Sequence, residues 1–357
     1  MIVLGRSLTF QQNIKTQLLL GFLLFCFNCS SPTTQLSLSG ETMGTTYHIK
    51  IVTGQEHKAK KIQKSVDSIL VVFNKEMSTW DPNSEISTFN RWYSLDSFKV
   101  SENFYEVVEQ ALVISKKSKG MFDITVFDLL SLWGFGPNPK SGIPEKSEID
   151  SILTYTGSQY LSIDKNALIK KHRKARIDLN AIAKGYGVDI IFNYIKSLGY
   201  ENIFVEIGGE VRFSGLNRNL NKWSIGLENP PSNSTTGKEV PFFGIFSGES
   251  GSIATSANYR NIVDLDGAIL GHTINPKTGF PIQTNVLSVS VVAKTCMEAD
   301  AWATALMALS YEDGLEIIDH FKNIGAVWLL KTSDDNRVIL KKGDFSITNP
   351  IFEIRLL

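Results

Sequence analysis

Apolar residues recur along this chain with two different periods, and the changes of period mark out its elements. Leu36 and Leu38, then Tyr47, Ile49 and Ile51, alternate with polar neighbours, which predicts a strand interrupted at Glu41-Thr42-Met43-Gly44-Thr45-Thr46. The interruption reads as a bulge, or as a place where the backbone approaches a ligand or another strand. From Lys58 to Met77 the period turns helical, with Ile62, Val66, Ile69, Leu70 and Phe73 on one face. A second helix is predicted from about Ser101 to Lys119, stopped by Gly120. Gly120 to Val126, with Asp123 in its middle, reads as a strand-like run, Pro137 to Ile149 as a loop, and Lys165-Asn166 as the turn of a hairpin.

The stretch around which the rest is organised is Ile177 to Asp189, read as the end of a strand leading directly into a helix. Val188, Ile191, Ile195 and Leu198 continue at helical spacing and Gly199 is placed to end it. Asp178, Lys184, Gly185 and Gly187 fall within its first turns. Free N–H groups at a helix start, an ammonium and little side-chain bulk suit a phosphate. Equally, Asp178 and Asn180 can cap the helix while Lys184 stands in water. Beyond it, Ile203 to Ile207 predicts a buried strand ending in Gly208-Gly209-Glu210, and Trp223 to Gly226 another. Cys296 to Leu306 opens an alanine-rich helix, Leu315 to Phe321 predicts a further one, and two strands turn at Asp334-Asp335-Asn336.

Composition narrows the function classes. Lys+Arg and Asp+Glu are equal at 36 each, which argues against nucleic acid as the main partner. At 357 residues the chain can bury a large core around one site. The N-terminus is distinctive: Arg6 and Lys15 precede an apolar run from Leu18 to Phe27, too short to span a bilayer comfortably but suited to a secretory signal. Cys29 follows, then the polar stretch Ser30 to Gln35, as at a bacterial lipoprotein cleavage site, with Cys26 the alternative cysteine. The expected organisation is therefore a signal peptide over 1–28, a lipidated polar tether over 29–39 and one folded domain over 40–350. Only Cys296 then remains as a thiol, expected to be a buried apolar residue and not a nucleophile.

Several stretches carry chemistry. Met77-Ser78-Thr79-Trp80 ends the first long helix with a tryptophan able to stack on a flat ring or to cover the core. Gly251 to Arg260 has the hydroxyl density of a phosphate or sugar contact, or equally of a polar surface turn. Gly271-His272-Thr273-Ile274-Asn275-Pro276 is a stiffened loop bearing a histidine. Asp300 and Thr304 stand four apart, so their oxygens share a helical face. Hard oxygen ligands point to magnesium, while scattered histidines and the lack of CxxC or HExxH pairs argue against zinc.

Nine stretches, in order, resemble the ApbE-type FAD:protein FMN transferases: Glu41-Thr-Met-Gly-Thr, Met77-Ser-Thr-Trp, Phe122-Asp-Ile-Thr-Val, Leu132-Trp-Gly-Phe-Gly, Asp178-Leu-Asn-Ala-Ile-Ala-Lys-Gly-Tyr, Val205-Glu-Ile-Gly-Gly-Glu, Ala254-Thr-Ser, His272-Thr-Ile-Asn-Pro-Lys-Thr-Gly and Ala299-Asp-Ala-Trp-Ala-Thr-Ala. The resemblance implies an α+β fold of mixed or antiparallel sheets flanked by helices, with two lobes of T-fold-like duplication and FAD in the cleft between them. It implies that FAD is cut at its pyrophosphate and that FMN passes to a threonine or serine hydroxyl of an acceptor protein, leaving AMP. On the matching positions Met43, Trp80, Met121, Phe122, Asp123, Asp178, Lys184 and His272 would contact FAD. The Ala181 carbonyl, Asp300 and Thr304 would hold Mg²⁺. Lys184 would neutralise phosphate charge, and His272 or Asp123 would accept the hydroxyl proton. Ala257 stands where relatives often have glycine, and Trp80 where many have tyrosine. The implied location is outside the inner membrane, with flavin-bearing subunits of redox pumps or electron-transfer complexes as acceptors. Two other functions fit the same residues: a magnesium-dependent FAD pyrophosphatase, and a non-catalytic FAD-binding lipoprotein.

Overall fold

The structure, a computed structural model, describes residues 34–54, 58–231, 240–259, 262–265, 268–334 and 336–356. The signal peptide and the lipidated Cys29 expected from the sequence lie outside the described residues. The described chain opens with β1 (Thr34–Thr42) and β2 (Thr45–Thr53). They pair without slip from Thr34↔Thr53 to Thr42↔Thr45. Met43 and Gly44, with φ of 50° and 71°, form the two-residue turn of a β-hairpin, so the interruption is a reversal of the chain and not a bulge. Thr34 and Gln35 already belong to β1.

The remaining elements, in chain order, are α1 (Ala59–Met77), α2 (Glu85–Arg91), β3 (Phe98–Lys99), α3 (Glu102–Lys117), α4 (Phe127–Leu132), α5 (Lys146–Leu153), β4 (Leu161–Asp164), β5 (Ala167–Lys170) and α6 (Asn180–Ser197). Then come β6 (Asn202–Ile207), β7 (Glu210–Ser214), β8 (Trp223–Glu228), β9 (Phe242–Gly248), β10 (Ser250–Ala257), β11 (Ile262–Leu265), β12 (Ala268–Gly271), β13 (Val286–Ala293), α7 (Cys296–Met307), α8 (Tyr311–Ile318), β14 (Gly325–Lys331), β15 (Arg337–Lys342), β16 (Ile347–Thr348) and β17 (Glu353–Leu356). Nine strands form one sheet in the order β1-β2-β6-β7-β10-β13-β14-β15-β17, antiparallel except for the last pair. This is the expected α+β class. The sheet is continuous across its middle, and the division into two lobes gains no support from it.

Helices cover one face of the sheet and a second sheet covers the other. Ile49, Ile51, Val205 and Ile207 pack against Val66 and Leu70 of α1 and Val188, Ile191 and Ile195 of α6. On the opposite face Phe213, Ile253, Val327 and Leu329 meet Trp223, Phe243 and Phe246 of the small sheet β8-β9-β16. Burying each such side chain is worth about 1.5–3 kcal/mol, and a one-residue slip would exchange the two faces.

Three local expectations changed. Residues 122–126 are not a strand: Asp123 accepts the Thr125 N–H at 2.8 Å and starts a 3₁₀ turn that runs into α4. Ile177 belongs to no strand either; the Asn90 side chain takes the place of a neighbouring strand, accepting its N–H and donating to its carbonyl, both at 2.8 Å. Most of the Gly251–Arg260 stretch is not a surface turn: Ser250 to Ala257 is a central strand whose Ile253 and Ala254 are buried. The small, β-branched and hydroxyl side chains that resembled a loop are those that fit between two layers. The hairpin at Lys165-Asn166 is present, both residues having positive φ.

Register gives the sheet two functionally distinct ends. Tyr47 pairs with Ile207, so the β1–β2 and β6–β7 turns lie side by side at one end, where the Gly208 N–H donates to the Thr46 carbonyl at 3.1 Å. The Asn74 amide near the end of α1 donates to the Thr42 hydroxyl at 2.9 Å, so α1 points toward the same end.

Candidate active site

At the turn end, α6 and α7 come closer than side chains normally allow. A Cβ on Gly185 would collide with the Cys296 carbonyl and come within 2.8 Å of the Asp300 Cβ. The gap is used: Asp300 Oδ2 accepts the Gly185 N–H at 2.9 Å. Gly187 makes room for Met43, whose Cε would lie 2.6 Å from an added Cβ. The two glycines of the central stretch therefore serve helix packing and seat Met43 over α6. Asp189, one turn on, accepts the N–H groups of Cys296 and Met297, both at 2.9 Å, and pairs with Arg212 at 2.7 Å. It thereby ties α6 to the N-terminus of α7, where a carboxylate is favoured.

The charges gather beside this contact. Lys184 forms an ion pair with Glu210, the first residue of β7. Burial disfavours the Lys184 ammonium, but the Glu210 and Asp300 carboxylates outweigh it and hold the lysine above its ordinary pKa. Glu210 and Asp300 are 2% and 4% exposed. Burial pushes both carboxyls upward, against the pull of Lys184. Glu210 Oε2 is buried with no hydrogen-bond partner. Thr304 lies one turn beyond Asp300, its hydroxyl 3.2 Å from that of Ser256. Thr295 and Asp189 cap α7, which leaves Asp300 with no capping duty. Ala181 is partly buried in the first turn of α6. These are hard oxygen donors. Among the described residues no cluster of three or more His, Cys, Asp and Glu side chains gathers as a metal site. Burial and nearby carboxylates push the Cys296 thiol well up, as expected of an unreactive cysteine.

Asp178 and Asp123 form a second group. The Asp178 N–H donates to the Ile124 carbonyl at 2.7 Å, which joins the two segments. Burial raises the Asp178 carboxyl to about 6, opposed by the Asn180 N–H and side-chain amide at 2.8 and 2.9 Å. Asp123 is more fully engaged: Oδ1 accepts the Thr125 N–H and hydroxyl at 2.8 and 2.6 Å, and Oδ2 accepts the Ser158 N–H at 2.7 Å. Met121 and Phe122 are buried before it, whereas Trp80 stands 64% exposed beyond α1 and covers no core.

His272 follows β12 in a loop braced by the Ile274↔Pro281 bridge and by Asn275 Oδ1, which accepts the Lys277 and Thr278 N–H groups. Its ring meets Phe135 edge-on at 6.3 Å, and Trp133 Nε1 donates to the Gly279 carbonyl at 2.7 Å. The aromatic Leu132–Gly136 stretch and the histidine loop thus wall one region. The Lys277 side chain lies 3.8 Å from where a Gly120 Cβ would sit, which brings the loop to the Met121 segment. The sequence marks Gly208-Gly209-Glu210 only as the end of the Ile203–Ile207 strand, and Glu210 is absent from the site residues expected from it. The signal was a glutamate directly after a glycine turn, at the first position of a strand.

The lysine-carboxylate cluster therefore lies at the end of the sheet that carries the β1–β2 and β6–β7 turns. The sequence model of the ApbE family matches residues 43–328. An FAD:protein FMN transferase of Vibrio cholerae is 39% identical over 317 residues, covering 88% of this chain and 93% of its own. One of Haemophilus influenzae is 35% identical over 328 residues, covering 89% and 92%. Among solved structures, the flavin transferase ApbE from Vibrio cholerae superposes with a TM-score of 0.79 at 38% identity, covering 87% of this chain and 98% of that one. The apo flavinyl transferase ApbE of Pseudomonas stutzeri gives 0.77 at 30%, covering 87% and 95%. The chain belongs to the ApbE family.

Proposed function

We propose that this chain is an FAD:protein FMN transferase. The observation that carries the reading is the buried Lys184–Glu210–Asp300 cluster at the start of α6, in a chain covering nearly the whole length of relatives so named. An acceptor hydroxyl oxygen attacks the FMN-side phosphorus of FAD. The bond from that phosphorus to the bridging oxygen breaks, AMP leaves with the electron pair, and the hydroxyl proton passes to a base. The obstacle is electrostatic, since two unit charges ~4 Å apart repel by about 4 kcal/mol at an effective dielectric near 20.

Lys184 meets this obstacle from the protein side, because Glu210 and Asp300 keep it charged. The Ala181 carbonyl, Asp300 and Thr304 would hold Mg²⁺, a fit supported by their oxygen chemistry and by the partnerless Glu210 Oε2 on a carboxylate that feels the Asp300 charge. When bound, the ion supplies charge neutralisation at the diphosphate. Asp178 and Met43 would line the ligand, and exposed Trp80 would stack on a flat ring. For the base, three hydrogen bonds already engage Asp123, which favours His272. Threonine or serine is the expected acceptor side chain, on flavin-bearing subunits of redox pumps or electron-transfer complexes. Residues 1–28 are read as a signal peptide and Cys29 as lipidated, making the protein an exported lipoprotein anchored to the membrane.

The test supplies FAD and Mg²⁺ with and without an acceptor bearing an exposed threonine motif, and follows AMP, FMN and protein-bound flavin. Covalent flavin on the acceptor with AMP released is the expected result. Equal FMN and AMP regardless of acceptor would make the protein a pyrophosphatase. FAD bound but never cleaved would make it a carrier.

A further inference from the structure

The end of the sheet opposite the candidate site has a chemistry of its own. Register places Thr34, Thr53, Asn202 and Ser214 together there, since β1 starts against the end of β2, β6 starts beside it and β7 ends beside β6. α1 begins at this end and α6 finishes at it. The exposed side chains they bring are Lys58, Lys60, Lys61 and Lys64 at the start of α1 and Lys196 at the end of α6. The loop after β7 adds Arg218 and Lys222, held there by the Leu216 N–H donating to Asn202 at 2.8 Å. Against them stand Glu201, Glu249, which pairs with Lys222 at 3.3 Å, and Asp67 further up α1.

Two leucines stand out among these cations. Leu198 is 47% exposed just beyond α6, and Leu220 is 69% exposed. Leu220 has φ of 59°, a left-handed conformation that a leucine adopts at a cost. Asn217 enforces it by accepting the Asn219 and Asn221 N–H groups at 2.9 and 3.2 Å, while the Leu220 N–H donates to the Asn217 carbonyl at 2.9 Å. The turn holds out an apolar side chain where asparagine or glycine would be relaxed.

We infer that this end is a docking surface for an anionic phospholipid bilayer, with Leu198 and Leu220 entering the headgroup layer and the lysines meeting lipid phosphates. The inference rests on the lipoprotein reading. Cys29 precedes Thr34 by five residues, a reach of about 17 Å, so a lipidated Cys29 would hold this end of the sheet against the membrane. Each Lys or Arg near an anionic surface strengthens binding roughly fivefold. The orientation has a consequence for the reaction. β1 is nine residues long, so the candidate site faces away from the bilayer, roughly 30 Å above it. Acceptor hydroxyls must be presented at that height.

The full chain, purified with its own N-terminus, would be reconstituted into phosphatidylglycerol–phosphatidylethanolamine vesicles carrying a headgroup nitroxide. A fluorophore would be placed on Leu220→Cys or, at the far end, on Asn83→Cys, which is exposed beyond α1. Quenching at least about threefold stronger at 220 than at 83 is expected, weakening in high salt, in phosphatidylcholine vesicles and in the Lys58/Lys60/Lys61/Lys64→Gln variant. Leu220→Asn, compatible with the left-handed turn, keeps the fold while removing the apolar tip. It should loosen docking, read as weaker quenching at a cysteine placed at Leu198. Equal quenching at both ends, or quenching indifferent to salt and lipid charge, overturns the inference. The lipid anchor is read separately, from retention in vesicles after alkaline carbonate washing. Loss of the protein in that wash sinks the lipoprotein reading, whereas retention without end-specific quenching sinks only the docking surface.

Discussion

Lys184 and Lys170 are both withdrawn from bulk water and are treated in opposite ways. Lys184 keeps about a third of its side chain exposed and is answered by Glu210 and Asp300, which hold it charged. Lys170 is 1% exposed, with its ammonium 4.7 Å from the centre of the Phe89 ring and 3.4 Å from the Asn90 carbonyl. Burial, assisted by nearby Arg176 and opposed by Asp128, pulls its pKa down to about 8. Burial alone does not make a lysine functional. A paired lysine with one open side can offer its charge to a ligand, whereas a sealed one over an aromatic ring braces the core. The Asn90 side chain also brackets Ile177, so the sealed lysine supports the segment that carries Asp178.

The largest effect expected is that of Asp300→Ala, which should lower metal-dependent AMP release by a factor on the order of 10³. Full activity in that variant, still suppressed by chelator, would move the metal elsewhere. Lys184→Met should reduce turnover on the order of 100-fold, while Lys170→Met should leave it unchanged. Equal losses in steady-state assays of the two would end the distinction between them. Lys184→Met also leaves Glu210 buried and unpaired, at a cost of roughly 2 kcal/mol after allowing for the exposure of Lys184. Adding Glu210→Gln should restore most of the urea midpoint but none of the activity.

A smaller effect separates the lysines by pH. The folded pKa of Lys170 lies below its unfolded value of 10.5, so between about 8 and 10.5 the unfolded state binds more protons and the stability of the native protein rises with pH. Lys170→Met lacks this dependence, so its stability advantage should be greatest below pH 8 and vanish above 10.5. Asp178 behaves in the opposite sense. Its carboxyl, at about 6 in the fold and 3.8 outside it, makes the folded state bind the extra proton, so its contribution declines as pH rises through that window. Asp178→Asn, which keeps the acceptor for the Asn180 N–H, should be the more stable protein above pH 6 in urea titrations. A variant no more stable there than the parent would show that burial does not raise the carboxyl above its ordinary value.

Much of the fold was legible because local rules and tertiary packing agreed. The period of Ile62, Val66 and Phe73 places α1 almost to the residue, and Asn166, which tolerates a left-handed backbone, helps specify the hairpin turn. Legibility failed where a side chain from a distant segment replaced a backbone partner. Asn90 completes the hydrogen bonds of Ile177, so the local pattern mimics a strand that does not exist. Asp123 does the reverse, capping a turn inside a run whose apolar residues suit a strand.

By itself the sequence determined the α+β class, the ApbE resemblance, the helix carrying Asp300 and Thr304, and the inert buried cysteine. Those depend on composition, on short motifs and on periods spanning a few turns. Tertiary structure decided that Gly185 and Gly187 admit α7 and Met43, that Glu210 answers Lys184, and that a basic end with two exposed leucines lies opposite the site. Each joins residues far apart in the chain. Coulomb forces and steric contact act through space, and a linear pattern does not encode which distant atoms will meet.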